Sequence, residues 1–253
     1  MSIKTAVLDG VYTIEIARPE KKNAFTQAMY QAMADALLAA QADNAVRAVL
    51  LTGQPGIFSS GNDVEDFATR TQATSELSTF VFMKALMAID KPVIAAVTGP
   101  AIGIGATILL HCDFVYVSDE AAISMPFVSL GLVPEFGSSW IVPQLVGNVR
   151  ASELLLLGTP FTGAEAVELG IANAVLPAGE VVTHARRVAE RFNALPPGAV
   201  RETKTLLRRA RSAVVPEVVE TEARLFLQRL QTPEAKEAFS AFLQKRKPDF
   251  SKF

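Results

Sequence analysis

From residue 6 to residue 17 the chain alternates apolar and polar side chains, AVLDGVYTIEIA, around Asp9-Gly10. An Asp-Gly pair tolerates the positive φ angles of a type I′ turn, so the stretch predicts an opening β-hairpin. The period then lengthens. Met29, Met33, Leu37 and Ala40 recur at three- and four-residue spacing behind Thr26, which predicts a helix capped by that threonine. Ala48 to Thr52, Val93 to Val97 and Phe114 to Val117 are short apolar runs that read as buried strands, and Ile104 to His111 reads as a helix opened by glycines. Thr162-Gly163-Ala164-Glu165 has the spacing of a capping box, in which Thr and Glu each satisfy one free N–H at a helix start. Beyond Leu195-Pro196-Pro197-Gly198 the strand signals stop, and the remainder, passing Thr232-Pro233-Glu234, predicts three helices. We therefore divide the chain into a core over 1–195 and a helical region over 196–253. The repeated strand-strand-helix alternation is that of an α/β protein. By itself it leaves open an open doubly wound sheet or a coiled stack of ββα units.

Composition narrows the function classes. Half of the 253 residues are apolar, enough for a substantial core. The balance of 24 Lys+Arg against 26 Asp+Glu creates no global field that would attract nucleic acid or an anionic membrane, so any anion site must be local. Cys112 is the only cysteine, which excludes an internal disulfide and a multi-cysteine zinc site, and no metal is implied. The start MSIKTAVLDG has no basic stretch followed by an apolar one, and no apolar run approaches the ~20 residues of a membrane span. The end, Ser-Lys-Phe, differs from the peroxisomal S-K-L address. The expected location is the cytoplasm.

The chemistry concentrates in three segments. Phe58-Ser59-Ser60-Gly61-Asn62-Asp63 and Gly103-Ile104-Gly105 each interrupt an apolar stretch, where backbone N–H groups could converge on an anionic oxygen. Pro134-Glu135-Phe136-Gly137 then offers an acid among Leu130, Leu132, Val133 and Trp140. In isolation the first segment is a polar turn with Asp63 as a helix cap, and an acid in a Pro-Glu turn is usually solvated. A dinucleotide fingerprint fails because the third glycine of G-x-G-x-x-G is replaced by Ile108, and a P-loop fails for want of Gly-Lys-Ser/Thr. With two histidines, His111 read as packed and His184 as solvent-facing, and neither near a serine-glycine elbow, a Ser-His-Asp hydrolase is a poor match.

These segments resemble the crotonase family of enoyl-CoA hydratases and isomerases, over a likeness that runs from the Arg18-Pro19-Glu20-Lys21-Lys22-Asn23-Ala24-Phe25 loop through TGAEAVELGIANAV at 162–175. FSSGND together with PEFGSS looks most like the Δ3,Δ2-enoyl-CoA isomerase branch. The resemblance implies a crotonase spiral of ββα units followed by a helical trimerisation region. It also implies an acyl-CoA thioester as substrate, with coenzyme A part of that substrate and no separate cofactor, and a homotrimer or dimer of trimers. Residue by residue, it implies oxyanion donors at the amides of Asn62 and Ile104 and a catalytic Glu135. Ser59, Ser60, Gly61, Asn62, Asp63 and Gly103 would form the substrate loops, and Lys21 or Lys22 would meet the coenzyme A phosphates.

One departure is informative. The hydratase branch places two glutamates around a water, at positions that match Thr107 and Phe127 here. Neither can act as a carboxylate base, which speaks against efficient hydration. If Glu135 is buried, desolvation would raise its pKa toward neutrality, as suits a group that takes and returns a proton. Arg201, Lys204, Arg208 and Arg211 share a helical face opposite Leu206, Leu207 and Ala210, and predict a solvated amphipathic face; the alternative is a contact with phosphates of a ligand bound mainly by a neighbouring subunit.

Overall fold

β1 (Ile3–Leu8) and β2 (Val11–Ile16) pair antiparallel with Leu8 opposite Val11, and Asp9 and Gly10 take φ of 49° and 71°. The hairpin expected at Asp9-Gly10 forms because those two residues accept the left-handed backbone that its turn requires. The computed structural model describes residues 2–68 and 77–253. Thr26 accepts a hydrogen bond from the Met29 amide and starts α1 (Gln27–Ala42), which buries Met29, Met33, Leu37 and Ala40.

After α1 the chain coils. β3 (Ala48–Thr52), β4 (Val93–Val97), β6 (Phe114–Ser118) and β9 (Ala174–Leu176) add in parallel beyond β2, giving a six-stranded sheet ordered β1-β2-β3-β4-β6-β9. Each return to that sheet leaves short strands in a second one, β5 (Ala101–Ile102), β7 (Ala122–Ser124) and β8 (Phe161–Thr162), ordered β5-β7-β8. The helices between them are α2 (Val64–Ala68), α3 (Ser78–Ala88), α4 (Ile104–Thr107), α5 (Ser138–Val146), α6 (Asn148–Ser152) and α7 (Gly163–Glu168). The sheet pairing decides for the coiled stack over an open sheet. Thr162 and Glu165 form the expected capping box at the start of α7.

The central strands β3 and β4 of the large sheet are buried on both faces, which explains why they read as unbroken apolar runs. Val49, Leu51, Val93, Ala95 and Val97 face one core with Met29, Met33 and Phe82 of α1 and α3. Ala48, Leu50, Ile94, Ala96 and Tyr116 face the other core with Val181, Ala185 and Ala189 of α8 (Val181–Glu190). His184, expected in solvent, is half-buried with its ring edge against Tyr116 at 4.6 Å. Among the described residues no helix is long and apolar enough to cross a membrane.

The C-terminal region consists of α9 (Pro197–Ser212), α10 (Val215–Leu230) and α11 (Pro233–Leu243). The orientation of α9 reverses the expectation. Its basic face docks inward: Lys204 pairs with Asp113 at 2.7 Å and Arg208 with the same carboxylate at 2.8 Å, while Arg208 and Arg211 donate to the carbonyls of His111 and Leu110. Those carbonyls end the Ile104–His111 helical segment, whose second half tightens into a 3-10 turn, and free helix-end carbonyls attract cationic donors. Burial pushes the Lys204 ammonium down to about 8, against the pull of Asp113. Leu207, by contrast, is 80 % exposed. The basic side chains are thus held by the protein itself.

Candidate active site

Residues 58–63 are held by three neighbours. The buried Asn23 side chain donates to the Phe58 carbonyl at 3.1 Å, Ser59 Oγ donates to the Asn23 carbonyl at 3.0 Å, and the Ser60 amide donates to the Lys22 carbonyl at 3.0 Å. Arg18 reaches Asp63 at 2.6 Å and also donates to the Ala24 carbonyl. Burial pushes the Asp63 carboxyl up, but the Arg18 bond and the amides of Asp66 and Glu65 outweigh it and hold the group below the usual range. Asp63 therefore acts as the cap of α2 and anchor of Arg18. Lys21 and Lys22 are exposed on the adjoining turn, with Lys21 bonded to Glu65 at 3.2 Å.

This frame fixes the direction of the Asn62 amide. The Phe25 amide donates to the Gly61 carbonyl, and the Asp63 amide donates to the Phe25 carbonyl, a parallel bridge on either side of Asn62. Successive N–H groups of extended chain point to opposite sides, so the Asn62 N–H points away from Phe25. Among the described residues it has no backbone acceptor. Its side-chain oxygen accepts from Tyr30 at 2.7 Å, and Tyr30 is fixed by stacking on Phe25 at 5.1 Å. Sequence reasoning missed Tyr30, whose only signal was a core position on α1.

The second loop lies directly alongside. Ser59 and Ala101 form a parallel bridge, and the Ile102 amide donates to the Ser59 carbonyl. A Cβ on Gly105 would stand 3.0 Å from that carbonyl, and one on Gly61 would stand 3.0 Å from the Ile102 carbonyl. Side chains at either position would push the loops apart. Gly103 takes φ 58° and ψ −120°, a backbone open to glycine and strained for other residues, and it turns the chain from β5 into the helix. The Ile104 amide then lies in the first turn, where N–H groups lack intrahelical partners, and it too has no backbone acceptor among the described residues. The ring of Phe127 lies 4.0 Å from where a Cβ on Gly103 would stand, and Thr107 is fully buried with its hydroxyl turned to the Ile104 carbonyl.

Glu135 is 7 % exposed. It lines a narrow cavity together with Asn62, Phe136, Thr79, Met83 and Phe226, and of the described residues that line it only Glu135 carries a carboxyl. Its turn is braced at several points. Ser138 Oγ donates to the Glu135 carbonyl at 2.7 Å, and Phe136 adopts φ 59°. His111 stacks on Phe136 with ring centres 3.8 Å apart, and its Nε2 lies 2.7 Å from the Phe136 carbonyl. Burial pushes His111 down to about 3, so the ring is neutral at pH 7. A carbonyl only accepts, which assigns the proton to Nε2. The packed role expected for His111 is thus a clamp on the turn that presents Glu135. The cavity continues between α3 and α10 into an open groove floored by Phe80, Met83, Met87, Val219, Ala223 and Leu227.

The family model described as enoyl-CoA hydratase/isomerase matches residues 7–252. Enoyl-CoA delta isomerase 2 of Rattus norvegicus is 34% identical over 94% of this chain, which spans 62% of the rat protein. The 2,3-dehydroadipyl-CoA hydratase of Escherichia coli strain K12 is 31% identical over 95% of this chain and 94% of its own. Among solved structures, OdaA of Pseudomonas aeruginosa superposes with a TM-score of 0.94 at 48% identity, covering 96% of this chain and 98% of that one.

Proposed function

Since the chain belongs to the enoyl-CoA hydratase/isomerase family, also called the crotonase family, whose members act on acyl-CoA thioesters, we propose that it is a Δ3,Δ2-enoyl-CoA isomerase. The observation that carries this reading is the single carboxyl, Glu135, among the described residues lining the cavity next to Asn62. In the proposed reaction the thioester oxygen of a 3-enoyl-CoA accepts hydrogen bonds from the Asn62 and Ile104 amides. Glu135 removes a proton from C2, the electron pair moves onto the thioester oxygen as an enolate, and the double bond shifts as the same carboxyl returns the proton to C4. One carboxyl suffices because C2 and C4 can lie on one face of the acyl chain. The apolar groove between α3 and α10 suits the hydrocarbon tail, and the exposed Lys21 and Lys22 suit the coenzyme A phosphates.

Hydration asks for more. A water must be held and activated beside the thioester, and at the two positions where the resemblance to hydratases calls for glutamates this chain has Thr107 and Phe127. The expected result is rapid conversion of 3-enoyl-CoA to 2-trans-enoyl-CoA and little hydration of 2-enoyl-CoA on the same preparation. Comparable turnover of the two substrates would reject the isomerase assignment and favour a hydratase. Binding without turnover of either would favour a non-catalytic acyl-CoA-binding subunit.

A trimer or dimer of trimers is part of the same proposal. Of the apolar residues on the C-terminal helices, Phe226 is buried and Phe239 half-buried within the subunit. Leu206, Leu207, Phe242 and Leu243 remain more than half exposed on the C-terminal helices. Apolar surface of this kind favours association. Light scattering should give a mass of three or six chains; a stable monomer at micromolar concentration would sink the assembly proposal.

A further inference from the structure

The start of α5, directly after the turn that carries Glu135, is capped by a residue far away in the chain. Its own N-cap, Gly137, has no side chain to offer, yet the first amides of a helix need acceptors. Glu222 of α10 supplies both oxygens: Oε2 accepts from the Gly137 amide at 2.6 Å and Oε1 from the Ser139 amide at 2.9 Å. These are short, charge-assisted bonds. Glu222 is 5 % exposed, and its neighbours on α10, Ala223 and Phe226, line the cavity with Glu135. A buried carboxylate is a costly way to cap one helix, since an ordinary Ser or Asp at the N-cap does so in water.

We propose that Glu222 is a positioning residue for Glu135: it locks the turn that carries the base and places a fixed negative charge behind it. The inference rests on the reading of Glu135 as the proton-transfer group. The turn has two other braces, the neutral His111 on Phe136 and the Ser138 hydroxyl on the Glu135 carbonyl, and neither brings charge. The segment Ser138–Val146 carries no charged residue, and on α10 itself Glu220 and Arg224 are exposed. Arg208 and Arg211 lie behind His111, occupied by its carbonyl and that of Leu110. Burial holds the Glu222 carboxyl above its ordinary range, against the pull of the Ser139 hydroxyl and of the Ser139 and Gly137 amides, so its charge depends on the contacts that fix the turn. A negative charge there disfavours ionisation of Glu135 and so strengthens it as a proton acceptor, while the locked turn keeps it aimed into the cavity.

The test is a carboxyl ¹³C NMR titration of protein labelled at glutamate, with the Glu135 signal identified by its loss in Glu135→Gln, run beside kinetics of 3-enoyl-CoA isomerisation. In folded Glu222→Gln the Glu135 midpoint should fall by roughly half a pH unit to one unit, from loss of the charge. kcat should fall about tenfold with KM nearly unchanged, because an amide side chain leaves one of the two N–H groups without its acceptor. Glu222→Asp keeps the charge and loses the reach, so its midpoint should stay near wild type while kcat falls. An unmoved midpoint in folded Glu222→Gln, or wild-type kcat in either folded variant, overturns the proposal. If Glu222→Gln does not fold, Glu222→Asp decides by kcat alone at unchanged thermal stability. Failure of the Glu135 reading is distinguishable, because it appears as full activity in Glu135→Gln whatever the titration gives.

Discussion

Glu135→Gln should bind acyl-CoA and fail to isomerise it, with kcat reduced by about 10³-fold or more. Glutamine has nearly the same shape but cannot carry a proton from C2 to C4, and Glu135 is the one carboxyl among the described residues lining that cavity. The substitution is also structurally mild. The bonds that hold this turn to Ser138 run through the Glu135 carbonyl, which glutamine keeps. Folding should therefore survive, and affinity for a saturated acyl-CoA should change by less than roughly tenfold, about 1.4 kcal/mol. Calorimetry with the saturated thioester and a coupled assay with 3-enoyl-CoA separate the two effects. Near-wild-type turnover in the folded variant would falsify the assignment of Glu135.

Gly103→Ala should lose about 10²-fold or more in kcat, the scale of one missing donor to a developing oxyanion. The cause is conformational. An added Cβ at residue 103 meets nothing closer than the Phe127 ring at 4.0 Å, so there is room for a methyl group. At φ 58° and ψ −120°, however, an L-residue carries strain of about 1–3 kcal/mol, and relief of that strain swings the Ile104 amide. Asn62→Ala is the matching control. It removes the Tyr30 contact at 2.7 Å but keeps the backbone N–H, and it should retain substantial activity. The infrared carbonyl stretch of a bound, unreactive acyl-CoA thioester reads the donors directly. Wild type and Asn62→Ala should shift it to lower frequency, and Gly103→Ala should shift it less. A bound carbonyl that absorbs where it does in water removes the main support for the enolate mechanism.

Local order was legible in the chain wherever one physical cause acted within a few residues. Asp9-Gly10 specified its turn, Thr26 and Thr162 specified helix starts, and the doubly buried strands appeared as unbroken apolar runs. The segments around Asn62, Ile104 and Glu135 were legible through their resemblance to a family, since a backbone amide leaves no mark of its own in a sequence. The basic face of α9 was misread, because polarity on a helix says which side seeks polar partners and does not say whether those partners are water or the bare carbonyls of Leu110 and His111.

Propensity and periodicity over short spans were thus enough to set the elements, the α/β class and the loops able to expose amides. Tertiary structure decided the rest. It chose a coil over an open sheet through the pairing of β4 with β6 and β6 with β9, and set Ser59 beside Ala101. It brought Glu222 to the turn of Glu135 across 85 positions of chain. Such contacts depend on which buried groups find partners once the chain is packed, and a hydrogen bond between distant residues is encoded in neither one's neighbours.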